Sequence, residues 1–238
     1  MRGLALQNLR ALSEKISTPL ARRFSWMSPL AVTWATLPVG ILAAVLMLMA
    51  GRDVWGAVML LGAAAMVGIA SILDGFDGAL ARNTGRVTRW GDYLDHTFDR
   101  VLDILWMVAI GYNMGWVGSA TLAWGAAMFT MFGSYLGTQV QAVSGARDYG
   151  GFSRADRLAI TIAGLILAAL QIFIGWDDAV YLPAPLSHVP LNPMSGILII
   201  SGVGGVWTFS KRFMQARERL NKMDAEDPLP QLRADSKE

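Results

Sequence analysis

Apolar runs of about 20 residues, the length that crosses a hydrocarbon core, recur along this 238-residue chain. They limit its folds more than any other feature. A backbone in a bilayer must satisfy its own hydrogen bonds, which leaves helices or a closed barrel. Runs this long, without strict alternation, read as helices. Charged residues make up 16% of the chain, against about 25% in an average soluble domain. No cysteine is present, which excludes disulfide frameworks, iron–sulfur clusters and thiolate zinc sites. The net charge of +2 says little about partners and does not point to nucleic acid.

The expected fold is an all-α integral membrane protein with six transmembrane helices, preceded by an N-terminal amphipathic surface helix. In residues 2–17, Ala5, Leu9, Leu12 and Ile16 share one helical face, with Arg2, Arg10 and Lys15 interspersed. The spans are expected over 28–49, 54–80, 90–114, 116–143, 154–174 and 194–213, with Pro38 kinking the first. Three regions follow: a juxtamembrane segment 1–27, a transmembrane domain 28–213, and a charged helix end with a disordered tail over 214–238. Arginine and lysine gather before the first span, after the second and fourth, and after the sixth. By the positive-inside rule both termini are cytoplasmic, in a multi-pass protein of the plasma membrane.

Asp74, Asp77, Asp95 and Asp99 break into two of these apolar runs. A charge inside a membrane is expensive and marks function by default. Asp74 and Asp77 lie at i, i+3, and Asp95 and Asp99 at i, i+4, so each pair shares a helix face. The pairs sit at the end of the second span and the start of the third, and so meet at one depth. Oxygen-only ligation suits hard cations such as Mg²⁺ or Mn²⁺, which serve phosphate chemistry. Gly75, Gly78 and Gly91 leave room for close approach, and Arg82 suits a phosphate. An ion or proton transporter is the competing class, but the acids gather on one side only. Asp103 either orients ligands or pairs with Arg100. His96 and His188 read as bystanders. Gly111-x-x-x-Gly115 and Gly133-x-x-x-Gly137 permit close helix packing, within one chain or at a dimer seam.

The pattern Asp74-x-x-Asp77-Gly78-x-x-Ala81-Arg82, eight residues, Gly91-x-x-x-Asp95-x-x-x-Asp99 resembles the motif of the CDP-alcohol phosphotransferases. The resemblance implies a phospholipid-biosynthetic transferase. Such an enzyme moves a phosphatidyl or archaetidyl group from a CDP-linked lipid to a small alcohol and releases CMP. It also implies a homodimer among membrane lipids. Asp74, Asp77, Asp95 and Asp99 would then hold one or two Mg²⁺ or Mn²⁺ ions, Asp99 would also be the general base, and Gly78, Ala81, Arg82, Gly91 and Thr33 would shape the CDP site. One departure is Leu30, where many members have Asn.

Acceptor-phosphate candidates are Arg147, Arg154 and Arg157, although their pattern reads first as topology and lipid-headgroup residues. Family members that use inositol phosphate carry Lys and Arg where this chain has Gly137 and Gln139. Glycerol phosphate is therefore the expected acceptor, with inositol phosphate or serine as alternatives. The stretch from Gly150 to Arg157 resembles archaeal members, in which the lipid is CDP-archaeol.

Overall fold

The structure is a computed structural model that describes residues 23–146 and 150–227. The expected surface helix at 2–17, the tail beyond 227 and Arg147 lie outside the described residues. Among the described residues six long helices follow in order: α1 (Pro29–Met49), α2 (Val54–Thr84), α3 (Arg89–Tyr112), α4 (Ala120–Ser144), α5 (Arg154–Ile174) and α6 (Pro193–Glu226). Of these, α1, α2, α5 and α6 are long and apolar enough to cross a membrane by length and composition. The chain is thus a helical multi-pass membrane protein. The aspartates of α3 keep that helix out of the set by composition.

Local chemistry sets the helix ends. Asp53 caps α2 by accepting the Gly56 N–H at 2.7 Å, and Thr88 caps α3 through Gly91 at 3.0 Å. Pro29 and Pro193 stand in the first turns of α1 and α6, where no amide partner is lost. Pro38 lies inside α1, which runs on past it as one helix. The fourth helix starts at Ala120, later than expected, because residues 113–119 form a turn and Ser119 then caps α4 by accepting the Leu122 N–H. Gly118 holds a φ of 61° in that turn, a region that favours glycine.

α1 packs on α2 and α3, α4 on α3 and α6, and α5 on α2 and α6. Consecutive α2 and α3 are not packed along each other, so their facing carboxylates meet across a gap. Glycines bring the other helices close. A Cβ on Gly205 would stand 2.7 Å from the Phe129 carbonyl carbon, and one on Gly133 would stand 3.2 Å from the Thr208 side chain. A Cβ on Gly111 would stand 3.0 Å from Ala123 Cα. Gly111 and Gly133 therefore serve packing within the chain.

At the end of the bundle away from the aspartates, Asn113 is 3% exposed. Its amide donates to Met47 O at 2.8 Å and Ala50 O at 2.9 Å, and its Oδ1 accepts Gly115 N–H at 3.0 Å. The Met47 and Ala50 carbonyls belong to the C-terminal end of α1, where the helix supplies no partner. Asn113→Ala strips both, at about 1–3 kcal/mol for each buried group left unmet. We expect the Tm in detergent to fall by about 5 °C; an unchanged Tm would show that water replaces the amide. Nearby, Arg52 pairs with Asp178 and stacks over Trp116 at 4.3 Å. Burial alone would raise the Asp178 pKa, but hydrogen bonds from Arg52, Asn192 and Gln171 hold the carboxyl below its ordinary range.

Candidate active site

Three of the four expected ligands come together. Asp74 from α2, and Asp95 and Asp99 from α3, each offer a carboxylate oxygen, and these atoms lie within 4.8 Å of one another. The donor set is all oxygen and anionic, which fits a hard divalent cation. Asp77 stands outside this trio. It is 6% exposed, and its Oδ2 accepts the Thr33 hydroxyl at 2.5 Å. The i, i+3 spacing placed Asp77 on the correct face but carried no information about α1, whose Thr33 reaches it. Thr33, expected at the nucleotide end of the site, here positions an acid.

On one side of the trio lies a cavity of about 320 Å³ lined by Thr33, Asp77, Gly78, Ala81, Arg82, Gly91 and Asp95. Every residue expected to shape a CDP site faces this one space. Leu30, the departure from the family pattern, lines it too. A Cβ on Gly78 would stand 3.2 Å from Arg82 Nη1, so glycine there lets the guanidinium lie back against α2. Gly85 ends α2 with a φ of 67°, which turns the chain toward α3. His96 sits at the rim, with Nδ1 3.8 Å from Asp95.

A smaller cavity of about 160 Å³ lies among α3, α4, α5 and α6 and meets the trio through Arg154. Arg100, Ser134, Arg154, Arg157 and Arg212 line it. Arg154 Nη1 donates to Asp74 Oδ2 at 2.8 Å, and its Nη2 forms an ion pair with Asp99 Oδ1 at 2.7 Å. Arg157 Nη2 donates to Asp103 at 2.7 Å, and Arg100 Nη1 lies 3.4 Å from the same acid. The question of Asp103 is thereby answered in favour of pairing, with Arg157 as its nearest partner. Arg157 is 8% exposed, so it is no headgroup contact.

Arg100, Ser134 and Arg212 were not among the expected site residues. Arg100 Nη1 donates to Ser134 Oγ at 2.6 Å. Arg212 donates from Nε to Gly150 O at 2.9 Å and from Nη1 to Gly133 O at 2.6 Å. In the sequence Arg212 merely follows an apolar run, as any topology residue does. The loop before α5 brings these parts together. Thr208 Oγ1 accepts the Phe152 N–H at 2.8 Å, and a Cβ on Gly151 would meet that hydroxyl at 2.8 Å. Ser153 and Asp156 then form a capping box that starts α5 at Arg154.

A carboxylate trio that touches one arginine-bearing cavity through Asp95 and a second through Arg154, in an apolar helical bundle, defines a site suited to phosphoryl-type transfer. The chain belongs to the CDP-alcohol phosphatidyltransferase family, whose model matches residues 26–185. It is 28% identical over 219 residues to the archaetidylinositol phosphate synthase of Pyrococcus horikoshii, covering 89% of this chain and 98% of that protein. It is 32% identical over 173 residues to the phosphatidylinositol phosphate synthase of Mycolicibacterium smegmatis, covering 69% of this chain and 73% of that protein. A crystal structure of the Mycobacterium tuberculosis phosphatidylinositol phosphate synthase with CDP-DAG bound superposes with a TM-score of 0.63 at 26% identity, covering 85% of this chain and 94% of that one. A second structure of that protein, in complex with manganese and citrate, has a TM-score of 0.59 at 24% identity, covering 84% and 88%.

Proposed function

We propose that this protein transfers a phosphatidyl or archaetidyl group from a CDP-linked lipid to inositol phosphate, releasing CMP, with a divalent cation at Asp74, Asp95 and Asp99. The observation that carries the acceptor is the cavity lined by Arg100, Ser134, Arg154, Arg157 and Arg212. So many guanidinium groups facing one small space suit an anion. The relatives named for inositol phosphate products favour the same acceptor. Glycerol phosphate, expected from Gly137 and Gln139, gives way to it. The cation those positions lack in α4 is supplied by Arg212 of α6 and by the start of α5.

The CDP end of the lipid lies in the larger cavity, against Thr33, Gly78, Ala81, Arg82 and Gly91, with Arg82 on the phosphates. Asp77, fixed by Thr33, faces that space beside Asp95 and serves a second ion. A bound divalent cation neutralises phosphoryl oxygens and withdraws charge from the leaving group. Asp99, which Arg154 links to the smaller cavity, takes the proton of the acceptor hydroxyl. That oxygen forms a bond to the lipid-bearing phosphorus. The bond from the same phosphorus to the oxygen shared with CMP breaks, and CMP leaves with the electron pair. Donor and acceptor in separate cavities that both reach the trio, through Asp95 and through Arg154, suit in-line displacement.

In this reading α3 and α4 also cross the membrane, giving six spans in one catalytic domain over 28–213. Both termini and the aspartates are then cytoplasmic. Purified protein with Mn²⁺ and a CDP-lipid is expected to release CMP with inositol phosphate well above glycerol phosphate, serine, glycerol or ethanolamine. Release with glycerol phosphate alone would restore the acceptor expected from the sequence. No release with any acceptor would remove the transferase reading.

A further inference from the structure

We infer that Arg154 is a displaceable counter-ion shared between the metal carboxylates and the anion cavity, so that cation and anion binding reinforce each other. This rests on the metal and acceptor reading above and goes beyond it by making one side chain the link between the two sites.

Four observations converge on Arg154. Its guanidinium holds Asp74 at 2.8 Å and Asp99 at 2.7 Å, two of the three acids that can share a cation. A divalent ion and a guanidinium drawn to the same carboxylates repel each other, most strongly where water is scarce. The same side chain lines the anion cavity with Ser134 and Arg212. Its fit on the carboxylates is incomplete, since buried Nε and Nη2 find no hydrogen-bond acceptor in good geometry. Finally, Asp103 does not need Arg154. That acid has Arg157 at 2.7 Å and Arg100 at 3.4 Å, whereas Arg154 Nε is 3.7 Å away.

A cation on the trio therefore releases Arg154 toward the cavity, where a phosphate group accepts it. A phosphate already in the cavity draws Arg154 off the acids and opens them to the cation. Linkage requires the two effects to be equal in free energy. Asp99 is therefore freed from its Arg154 ion pair most fully when both ligands are present.

The test is calorimetric titration of the metal-stripped, detergent-purified full chain with Mn²⁺, with and without inorganic phosphate. For the wild type, phosphate is expected to tighten Mn²⁺ binding at least about fivefold. Arg154→Gln is expected to bind Mn²⁺ at least about fivefold more tightly than wild type without phosphate, and to lose the phosphate effect. Arg154→Lys, which keeps a charge but not the planar fork, is expected to retain a reduced phosphate effect, and it decides the matter if the glutamine variant does not fold. An equal phosphate effect in wild type and variants overturns the proposal. So does weaker Mn²⁺ binding by a folded Arg154→Gln. CMP release by the wild type, measured in parallel, separates the failures: turnover with unchanged coupling removes only the role of Arg154, whereas no Mn²⁺ binding and no turnover remove the metal reading and this inference together.

Discussion

Replacing Asp99 with asparagine is expected to lower CMP release by about 10²–10⁴-fold, the usual contribution of a general base. The side chain keeps its shape but can no longer accept the acceptor proton. Asp99 is 9% exposed, so bulk water is poorly placed to substitute. Arg154, which lines the smaller cavity, holds Asp99 at 2.7 Å. Asp99 is also one of the three acids that can share a cation, so weaker metal binding imitates part of the loss. Raising Mn²⁺ to saturation separates the two: a ligand defect recovers, a missing base does not. CDP-lipid binding is expected to persist, since Thr33, Arg82 and Gly91 are untouched. Turnover within about threefold of wild type would take the proton to another group.

Arg212→Gln is expected to raise the KM for inositol phosphate about tenfold to a hundredfold, as the loss of one or two charge-assisted hydrogen bonds implies. The KM for the CDP-lipid should stay within about twofold, because Arg212 lines the other cavity. Arg212 also ties Gly150 O and Gly133 O together, so a structural loss must be told apart from a binding loss. Arg212→Lys restores the charge but not the planar pair of donors, and should recover part of the acceptor KM. Equal rises in both KM values, with a lower Tm, would make Arg212 a strut of the α4–α6 packing and leave the anion to the remaining arginines.

Much of the site was legible because its spacing is local. Asp74 and Asp77 are three apart, Asp95 and Asp99 four apart, and helical geometry alone puts each pair on one face. Gly78, Ala81, Arg82 and Gly91 flank them within the same two helices, and they do line one cavity. What spacing could not convey was the partner chosen by each acid. Asp77 turns to Thr33, 44 positions earlier in the chain. Asp74 and Asp99 turn to Arg154, the first residue of α5. Arg212 carried no signal at all, because a basic residue closing an apolar run looks like any topology marker.

The sequence by itself determined the class of fold and the kind of chemistry. Apolar runs in a bilayer have almost no alternative to helices, and clustered acids there have few reasons to exist other than cations. Only the tertiary structure decided which acids group, which arginines face them, and that the arginine-lined cavity is built from α3, α4, α5 and α6. Those contacts depend on how closely the helices approach, which Gly133, Gly151 and Gly205 permit through neighbours far along the chain. Helical periodicity tells which face a residue occupies, but the helix opposite that face is a matter of packing.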